Sequence, residues 1–327
     1  MSENRNLFLV IALSLAVVIL WQEFVVGPMT PPPPAQQTTV TADGTAAPVT
    51  DVGSTISAPS VPQAGVNLPR AEVIAAGTRV AINSDAVDGS ILLTGARFDD
   101  LNLRRYRERV DPQSEEITLL SPKGTANPDF AYFAEFGWAA APGGTISLPG
   151  ADTIWRIAQG DVLSPGKPVT LEWDNGQGFI FRRTIALDDN YMFTVTDAVE
   201  NRSGSDVALY PYGLIARHGG EPAASIWVIH EGLLGVFDGT LEQFTYSDMQ
   251  DEPVQSFDTT GGWLGMTDHY WMAALAPDQN EPIIARFTRD ARDGRNIYQT
   301  DFRYNSARIA AAGQTVSVTH HLFAGAK

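Results

Sequence analysis

The 327-residue chain contains no cysteine. That removes thiolate zinc sites, disulfide frameworks and cysteine nucleophiles together, and it suits an oxidising compartment such as the bacterial periplasm. Basic residues are also scarce: 22 Lys and Arg stand against 38 Asp and Glu, a formal net charge of −16. A surface this acidic excludes nucleic acid, whose phosphates demand a basic stripe, and argues against a broad contact with anionic lipid headgroups. No aromatic residue occurs between Phe24 and Phe98, and no apolar run of membrane-spanning length follows Val26.

The first 26 residues carry the one such run. After Met1 to Asn6, the stretch from Leu7 to Leu20 is almost wholly apolar, and no charged side chain lies between Arg5 and Glu23. As a helix it would be roughly 30 Å long, the thickness of a bilayer's hydrocarbon core. Leu7, Val10, Leu13, Val17 and Leu20 would meet the acyl chains, and Trp21 would sit at the interface. A cleaved signal peptide would end in a small-x-small site, whereas this run exits through Gln22-Glu-Phe-Val-Val-Gly-Pro28. Residues 1–26 are therefore expected to be an uncleaved transmembrane anchor. Arg5 keeps the N-terminus cytoplasmic under the positive-inside rule, which puts everything after about residue 27 in the periplasm.

Residues 27–69 change character. Nine of the chain's 21 prolines fall between Pro28 and Pro69, with Thr, Ala, Ser and Gly in the gaps. Such a segment buries too little apolar surface to offset its ordering entropy and reads as an extended tether. Residues 70–327, with a net charge of −13, read as strands. Tyr191 to Val199 alternates, placing Tyr191, Phe193, Val195 and Val199 on one face, after a strand from Phe179 to Leu187 and a turn at Asp188-Asp189-Asn190. Ile283 to Thr288 and Asn296 to Tyr304 flank Asp293-Gly294 as a hairpin. Asp88-Gly89, Asn175-Gly176 and Asp238-Gly239 are expected to punctuate in the same way. Trp271 to Leu275 is the one short stretch that suits either a helix or a strand. With no proline-rich or charged break in the region, one large sandwich is expected rather than two in tandem.

The most distinctive stretch is Gly261-Gly-Trp-Leu-Gly-Met-Thr-Asp-His-Tyr-Trp-Met-Ala-Ala-Leu-Ala-Pro277. Read physically, it is a glycine turn feeding a buried element, with Trp263, Tyr270 and Trp271 carrying a large apolar payload. As a pattern it closely resembles the periplasmic domain of the YidC membrane protein insertases, through Gly262, Trp263, Leu264, Gly265, Thr267, Asp268, Tyr270 and Trp271. Asn4-Arg-Asn-Leu7 entering the apolar run, Asp197-Ala-Val-Glu-Asn201, Tyr210 to Arg217 and Leu322-Phe-Ala-Gly-Ala-Lys327 resemble the same family in order. Two positions depart from the pattern: His269 stands where lysine is common, and Ala326 where proline is common. The resemblance implies a mainly β fold, a large β-supersandwich of galactose mutarotase-like architecture behind one N-terminal transmembrane helix. It also implies an accessory, non-enzymatic docking domain at the inner membrane, without cofactor. Its partners would be auxiliary subunits of the Sec translocon and, through the full-length protein, nascent membrane proteins. The five later helices that carry insertion in that family have no counterpart here. The alternative is a stand-alone periplasmic carbohydrate-binding or mutarotase-like protein.

Candidate chemistry is thin. If Thr315 to Phe323 is a strand, His320 joins Val316, Val318 and Leu322 on one face while His321 takes the other, so the pair cannot converge on one metal ion. His218 with Glu221 or Glu231 has the residue types for sugar acid-base work, but spacing cannot place two groups on opposite sides of a substrate. Ser164-Pro-Gly-Lys167 matches Ser-x-x-Lys, yet its prolines and glycine make a turn, not the helix start that motif needs. Asp99-Asp100, Asp188-Asp189 and Asp248 to Glu252 lack calcium-loop spacing and read as solvated turns. Arg104, Arg105, Arg107 and Arg109 form a basic patch suited to an acidic partner.

Overall fold

Alternating burial builds this molecule strand by strand. The computed structural model describes residues 68–126, 128, 130–221, 230–292 and 294–327. The chain opens on a short helix, α1 (Arg70–Ala75), followed by β1 (Arg79–Asn83), β2 (Val87–Leu92), β3 (Arg97–Arg107), β4 (Glu116–Leu120) and β5 (Ala131–Ala140). Then come β6 (Arg156–Gln159), β7 (Val162–Leu163), β8 (Val169–Asp174), β9 (Phe179–Leu187), β10 (Met192–Asn201) and β11 (Val207–His218). After β12 (Gly232–Phe237) and β13 (Thr240–Thr245), one helical turn, α2 (Asp248–Asp251), leads to β14 (Val254–Thr260), β15 (Trp263–Thr267) and β16 (Trp271–Ala276). The last strands are β17 (Pro282–Arg292), β18 (Arg295–Tyr304), β19 (Arg308–Ala310) and β20 (Thr315–Ala326).

Two sheets result. One has 11 strands in the order β14-β17-β18-β11-β5-β3-β2-β1-β7, with β19 on β11 and β4 on β3; the other has nine, β13-β12-β15-β16-β20-β10-β9-β8-β6. Every neighbouring pair is antiparallel except β1 with β7. Period-2 alternation explains β10, where Phe193, Val195, Asp197, Val199 and Asn201 are buried and the residues between them are not. The two inner faces interdigitate through aromatic contacts. Phe98 of one sheet meets Phe193 of the other edge-on at 5.6 Å, and Phe257 stacks on Phe237 at 4.4 Å. The large β-supersandwich expected from the resemblance is the fold observed.

Most of the turn chemistry is where the pattern places it. Asp238 (φ 47°) and Gly239 (φ 80°) both occupy the left-handed region that a tight two-residue hairpin requires, between β12 and β13. β17 and β18 pair out to Arg292 opposite Arg295, with Gly294 at φ 76° between them; Asp293 lies outside the described residues. Four expectations need correction. Asp99-Asp100, read as a solvated turn, lies inside β3 with both residues buried and paired with Arg79 and Arg70. Asp88-Gly89 is no turn but lies inside β2, where a Cβ on Gly89 would stand 2.1 Å from the Asp100 carbonyl oxygen, so glycine serves close strand approach. Asp248 to Glu252, read as a solvated turn, contains α2, whose Met249 is buried. Tyr191, assigned to the alternating face, precedes β10 at φ 72°. The stretch from Trp271 to Leu275, open between helix and strand, is a strand. No helix of the described residues is long and apolar enough to cross a membrane. The expected anchor residues Leu7, Val10, Leu13, Val17, Leu20 and Trp21 lie outside the described residues.

Candidate functional site

The Gly261–Ala276 run becomes a hairpin of β15 and β16 inside the nine-stranded sheet. Gly261 (φ 67°) and Gly262 (φ 83°) turn the chain into β15, and a Cβ on Gly262 would stand 2.1 Å from the Val236 carbonyl oxygen. At Gly265 an added Cβ would come within 2.3 Å of the Ala273 carbonyl oxygen, so its absence lets β16 approach. Leu264, Met266 and Leu275 point into the core and are fully buried, while Trp263 is half-buried. The Thr267 hydroxyl donates to the carbonyls of Asp268 (3.0 Å) and Trp271 (3.3 Å), and the Asp268 N–H donates to Trp271 O at 2.9 Å, closing the turn.

Asp268 then ties this turn to the opposite sheet. Arg217, at the end of β11, donates from Nη1 to both Asp268 carboxylate oxygens, at 2.7 and 2.9 Å, and to the Tyr246 hydroxyl at 3.3 Å. Its Nη2 donates to the Gly220 carbonyl, and its guanidinium lies over the Phe130, Tyr132 and Tyr246 rings. Burial works against the charge, but Tyr246 and Asp268 more than offset it and hold Arg217 above its ordinary range. The neighbouring Tyr132 hydroxyl, raised by burial, donates to Met266 O at 3.2 Å. Asp268 and Arg217 thus latch this turn to the other sheet.

Beyond the latch, the turn presents an aromatic wall. Trp271 packs edge-on to Tyr106 of β3 at 4.8 Å, and Tyr270 lies 5.9 Å from Trp271. Tyr270 is 62% exposed and Tyr106 39%. Together with Arg107, Glu108, Ile117, His269, Ala326 and Lys327 they line an open cleft of about 680 Å³. The Lys327 N–H donates to Tyr270 O at 3.0 Å, and partial burial pushes the Lys327 ammonium down. His269 Nδ1 lies 3.9 Å from the Glu231 carboxylate. The sequence singled out Tyr270 and Trp271 but not Tyr106 or Ile117, and it did not join Arg217 to them, because nothing in the local pattern links β3, β4 or β11 to this turn.

The other candidates separate. His320 is fully buried among Phe136, Phe302 and Tyr304, and burial lowers it to about 3. His321, on the other face, lies 3.3 Å from the Thr194 hydroxyl. His218 is buried against the Phe133 ring, Glu221 accepts a hydrogen bond from Asn296 at 2.7 Å, and Glu231 faces His269. The structure therefore pairs neither glutamate with His218 in an acid-base arrangement. Ser164 and Lys167 exchange backbone hydrogen bonds across a turn. Among the described residues no cluster of three His, Asp or Glu side chains is placed to hold a metal ion.

Comparison with known proteins gives the fold and the lineage. The family described as the YidC periplasmic domain matches residues 79–327. A membrane protein insertase YidC from Methylorubrum extorquens is 43% identical over all of this chain and 55% of that protein. Insertases from Methylobacterium nodulans (44%, 55% of that protein) and Rhizobium meliloti (42%, 55%) match equally throughout. The chain spans about half the length of these relatives. Among solved structures, a galactose mutarotase related enzyme from Lactobacillus acidophilus superposes with a TM-score of 0.53, covering 76% of this chain and 97% of that one at 10% identity. A galactose mutarotase-like protein from Lactobacillus casei gives 0.51, 76%, 100% and 11%. At that identity the likeness shows architecture alone.

Proposed function

The chain belongs to the YidC membrane protein insertase family and carries its periplasmic domain; on that premise we propose that residues 70–327 form the accessory docking domain of an inner-membrane insertase. Residues 1–26 anchor it with the N-terminus in the cytoplasm, and 27–69 tether it on the periplasmic side. The domain acts by docking rather than by catalysis. It meets auxiliary subunits of the Sec translocon, and through the full-length protein it serves nascent membrane proteins. Insertion itself belongs to helices outside this chain, where a polar groove lowers the cost of bringing polar segments into lipid.

The observation that carries this reading is the family match over residues 79–327, joined to relatives aligned along the whole chain. The sandwich supplies what a docking body needs, a rigid surface braced by inter-sheet latches. The test uses the full-length insertase in its own membranes. Because residues 1–327 contain no cysteine, a single cysteine at an exposed site gives this part of the protein one defined position for a photo-crosslinker. Adducts to Sec subunits from one face are expected. Turnover of an aldose anomer, or a sugar-dependent rise in Tm with no Sec adduct, would overturn the reading in favour of a carbohydrate protein.

A further inference from the structure

We propose that Asn175 is a self-modifying site. The turn around it carries the groups that convert its amide to a carboxylate through a cyclic imide with Gly176, and conversion frees the crossover between β5 and β6. The site lies in the turn between β8 and β9 and acts without a docking partner.

Asn175-Gly176 is the one Asn-Gly pair in the chain. Gly176 sits at φ 69°, and a Cβ there would meet nothing within 4 Å, so no side chain hinders attack by its nitrogen on the preceding amide carbon. The turn supplies each role that this attack requires. The Gly176 N–H donates to Asp174 Oδ1 at 2.8 Å, which places a carboxylate on the proton that must leave the nucleophile. Asn175 Oδ1, where negative charge gathers as Cγ becomes tetrahedral, accepts the N–H groups of Gln177 at 2.8 Å and Phe179 at 3.1 Å. Two backbone donors at that range form an oxyanion hole. Asn175 Nδ2, the leaving nitrogen, donates to Ser147 O at 3.0 Å and to Gln177 Oε1 at 3.4 Å, acceptors that favour it as it gains a proton. Bonds at both ends of the amide fix which atom is oxygen and which nitrogen. Asp174, Gly176 and Gln177 are exposed, so water reaches the imide.

The steps balance with water as the sole co-reactant. Asp174 takes the Gly176 proton, the nitrogen bonds to Asn175 Cγ, and the Cγ–Nδ2 bond breaks as ammonia leaves with that proton. Water then opens the imide at either carbonyl, giving aspartate or its isoaspartyl isomer. Ser147 belongs to the crossover of residues 141–155 between β5 and β6, whose Ile146 and Leu148 pack against the core. Two bonds at Ser147 tie that crossover to the turn: Asn175 Nδ2 donates to its carbonyl, and its N–H donates to Gln177 Oε1 at 2.8 Å. A carboxylate in place of the amide turns the first bond into a repulsion between two oxygens and adds a charge beside Asp174. Conversion therefore loosens the crossover, and it does so irreversibly.

The experiment ages the full 327-residue chain in detergent at mildly alkaline pH, folded and, in parallel, unfolded in guanidinium chloride. Peptide mass mapping reads the converted fraction at Asn175, with the exposed Asn305-Ser306 as the internal reference between variants. The folded chain is expected to convert Asn175 severalfold faster than the unfolded one. Asp174→Asn keeps an acceptor for the Gly176 N–H but removes the base. A positioned base supplies about 100-fold or more in a dedicated active site, and a carboxylate is a weak base for an amide N–H. A loss of about tenfold is therefore expected in the folded variant, with little change in the unfolded one. The urea midpoint of this exposed-turn variant checks that it still folds. Asn175→Asp, which carries the aspartyl product, should speed amide exchange at Gly144 and Ser147 and leave β9 protected. Faster conversion in the unfolded chain would mean that the turn protects the amide, and the proposal fails. It fails equally if Asp174→Asn slows both states alike or neither. Unchanged exchange at Gly144 and Ser147 in Asn175→Asp would overturn the release of the crossover.

Discussion

Arg183 and Asp197 offer the sharpest test of how the sandwich is held. Both side chains are almost completely buried, in adjacent strands β9 and β10. Arg183 Nε donates to Asp197 Oδ1 at 2.7 Å and Nη2 to Oδ2 at 3.2 Å. The same guanidinium crosses to the other sheet, donating to the carbonyls of Phe136 (2.6 Å) and Ala96 (3.3 Å), with the Trp155 ring 5.4 Å away. Asp197→Asn keeps the shape but leaves a buried cation with only neutral acceptors. Breaking a buried pair from one side costs about 3–5 kcal/mol, two to three and a half orders of magnitude in the folding constant at about 1.4 kcal/mol per decade. Arg183→Met should cost a similar amount by stranding the carboxylate. The double variant Arg183→Met with Asp197→Leu removes both charges and leaves only the two carbonyls short of a donor, a loss of about 1–3 kcal/mol for each that stays unsatisfied. Urea unfolding of the detergent-solubilised chain, followed by the fluorescence of buried Trp138 and Trp155, reads all three at constant m-value. An Asp197→Asn midpoint equivalent to less than about 1 kcal/mol, or a double variant equal to the sum of the singles, would refute the argument.

Burial of neutral His320, lowered to about 3, means that between about pH 3 and 6.5 the unfolded chain binds a proton that the folded one refuses. Its contribution to stability therefore rises with pH through that window and is lost as pH falls. Asp99, raised by burial to about 6 despite Arg79, acts with the opposite sign between its unfolded value of 3.8 and about 6. His320→Phe should gain on the parent protein as pH drops from about 7 to 5, measured by urea midpoints; a pH-independent difference would contradict this. Gly265→Ala sets a Cβ 2.3 Å from the Ala273 carbonyl oxygen and should cost about 1–3 kcal/mol, read as a lower Tm. Asp268→Asn weakens the hold on buried Arg217 by about 1.5–3 kcal/mol. Amide exchange should then accelerate from Met266 to Trp271 ahead of the rest of the sheet; uniform exchange would rule the latch out.

Much of the fold was legible because period-2 alternation is a local signal. Phe179 to Leu187 and the strand after it follow from which positions are apolar, and Asp238-Gly239 from which residues tolerate positive φ. Asp88-Gly89 misled because the same dipeptide suits a turn and a crowded strand, and only the Asp100 carbonyl across β2 and β3 decides between them. Charges were the least legible part. Arg183, Asp197, Arg217 and Asp301 are ordinary polar positions in a pattern that assigns charge to solvent, yet each is buried. Arg183–Asp197 and Arg286–Asp301 face each other across consecutive strands and Arg217–Asp268 joins distant elements, so each pairing depends on strand register or sheet packing that spacing alone does not give. The cleft fails for the same reason: Tyr106 and Trp271 meet only because the β3–β4 hairpin of one sheet reaches the turn of the other.

The run from Gly261 to Pro277 serves two purposes, and its residues divide between them. Gly262, Gly265, Thr267 and Asp268 work inward: they admit close backbone, close the turn and latch it to Arg217. Tyr270 works outward, 62% exposed on the wall of the cleft. Exposed side chains away from buried networks change stability by no more than about 0.5 kcal/mol when replaced. Tyr270→Ser should accordingly leave the urea midpoint unchanged while impairing function of the full-length insertase in cells depleted of their own. Asp268→Asn should do the reverse in proportion, with function falling only as far as the folded fraction falls. If Tyr270→Ser shifts the midpoint as much as Gly265→Ala does, the ring is a structural part and the division fails. If it changes neither stability nor function, the cleft has no partner that matters under those conditions, and the run is architecture alone.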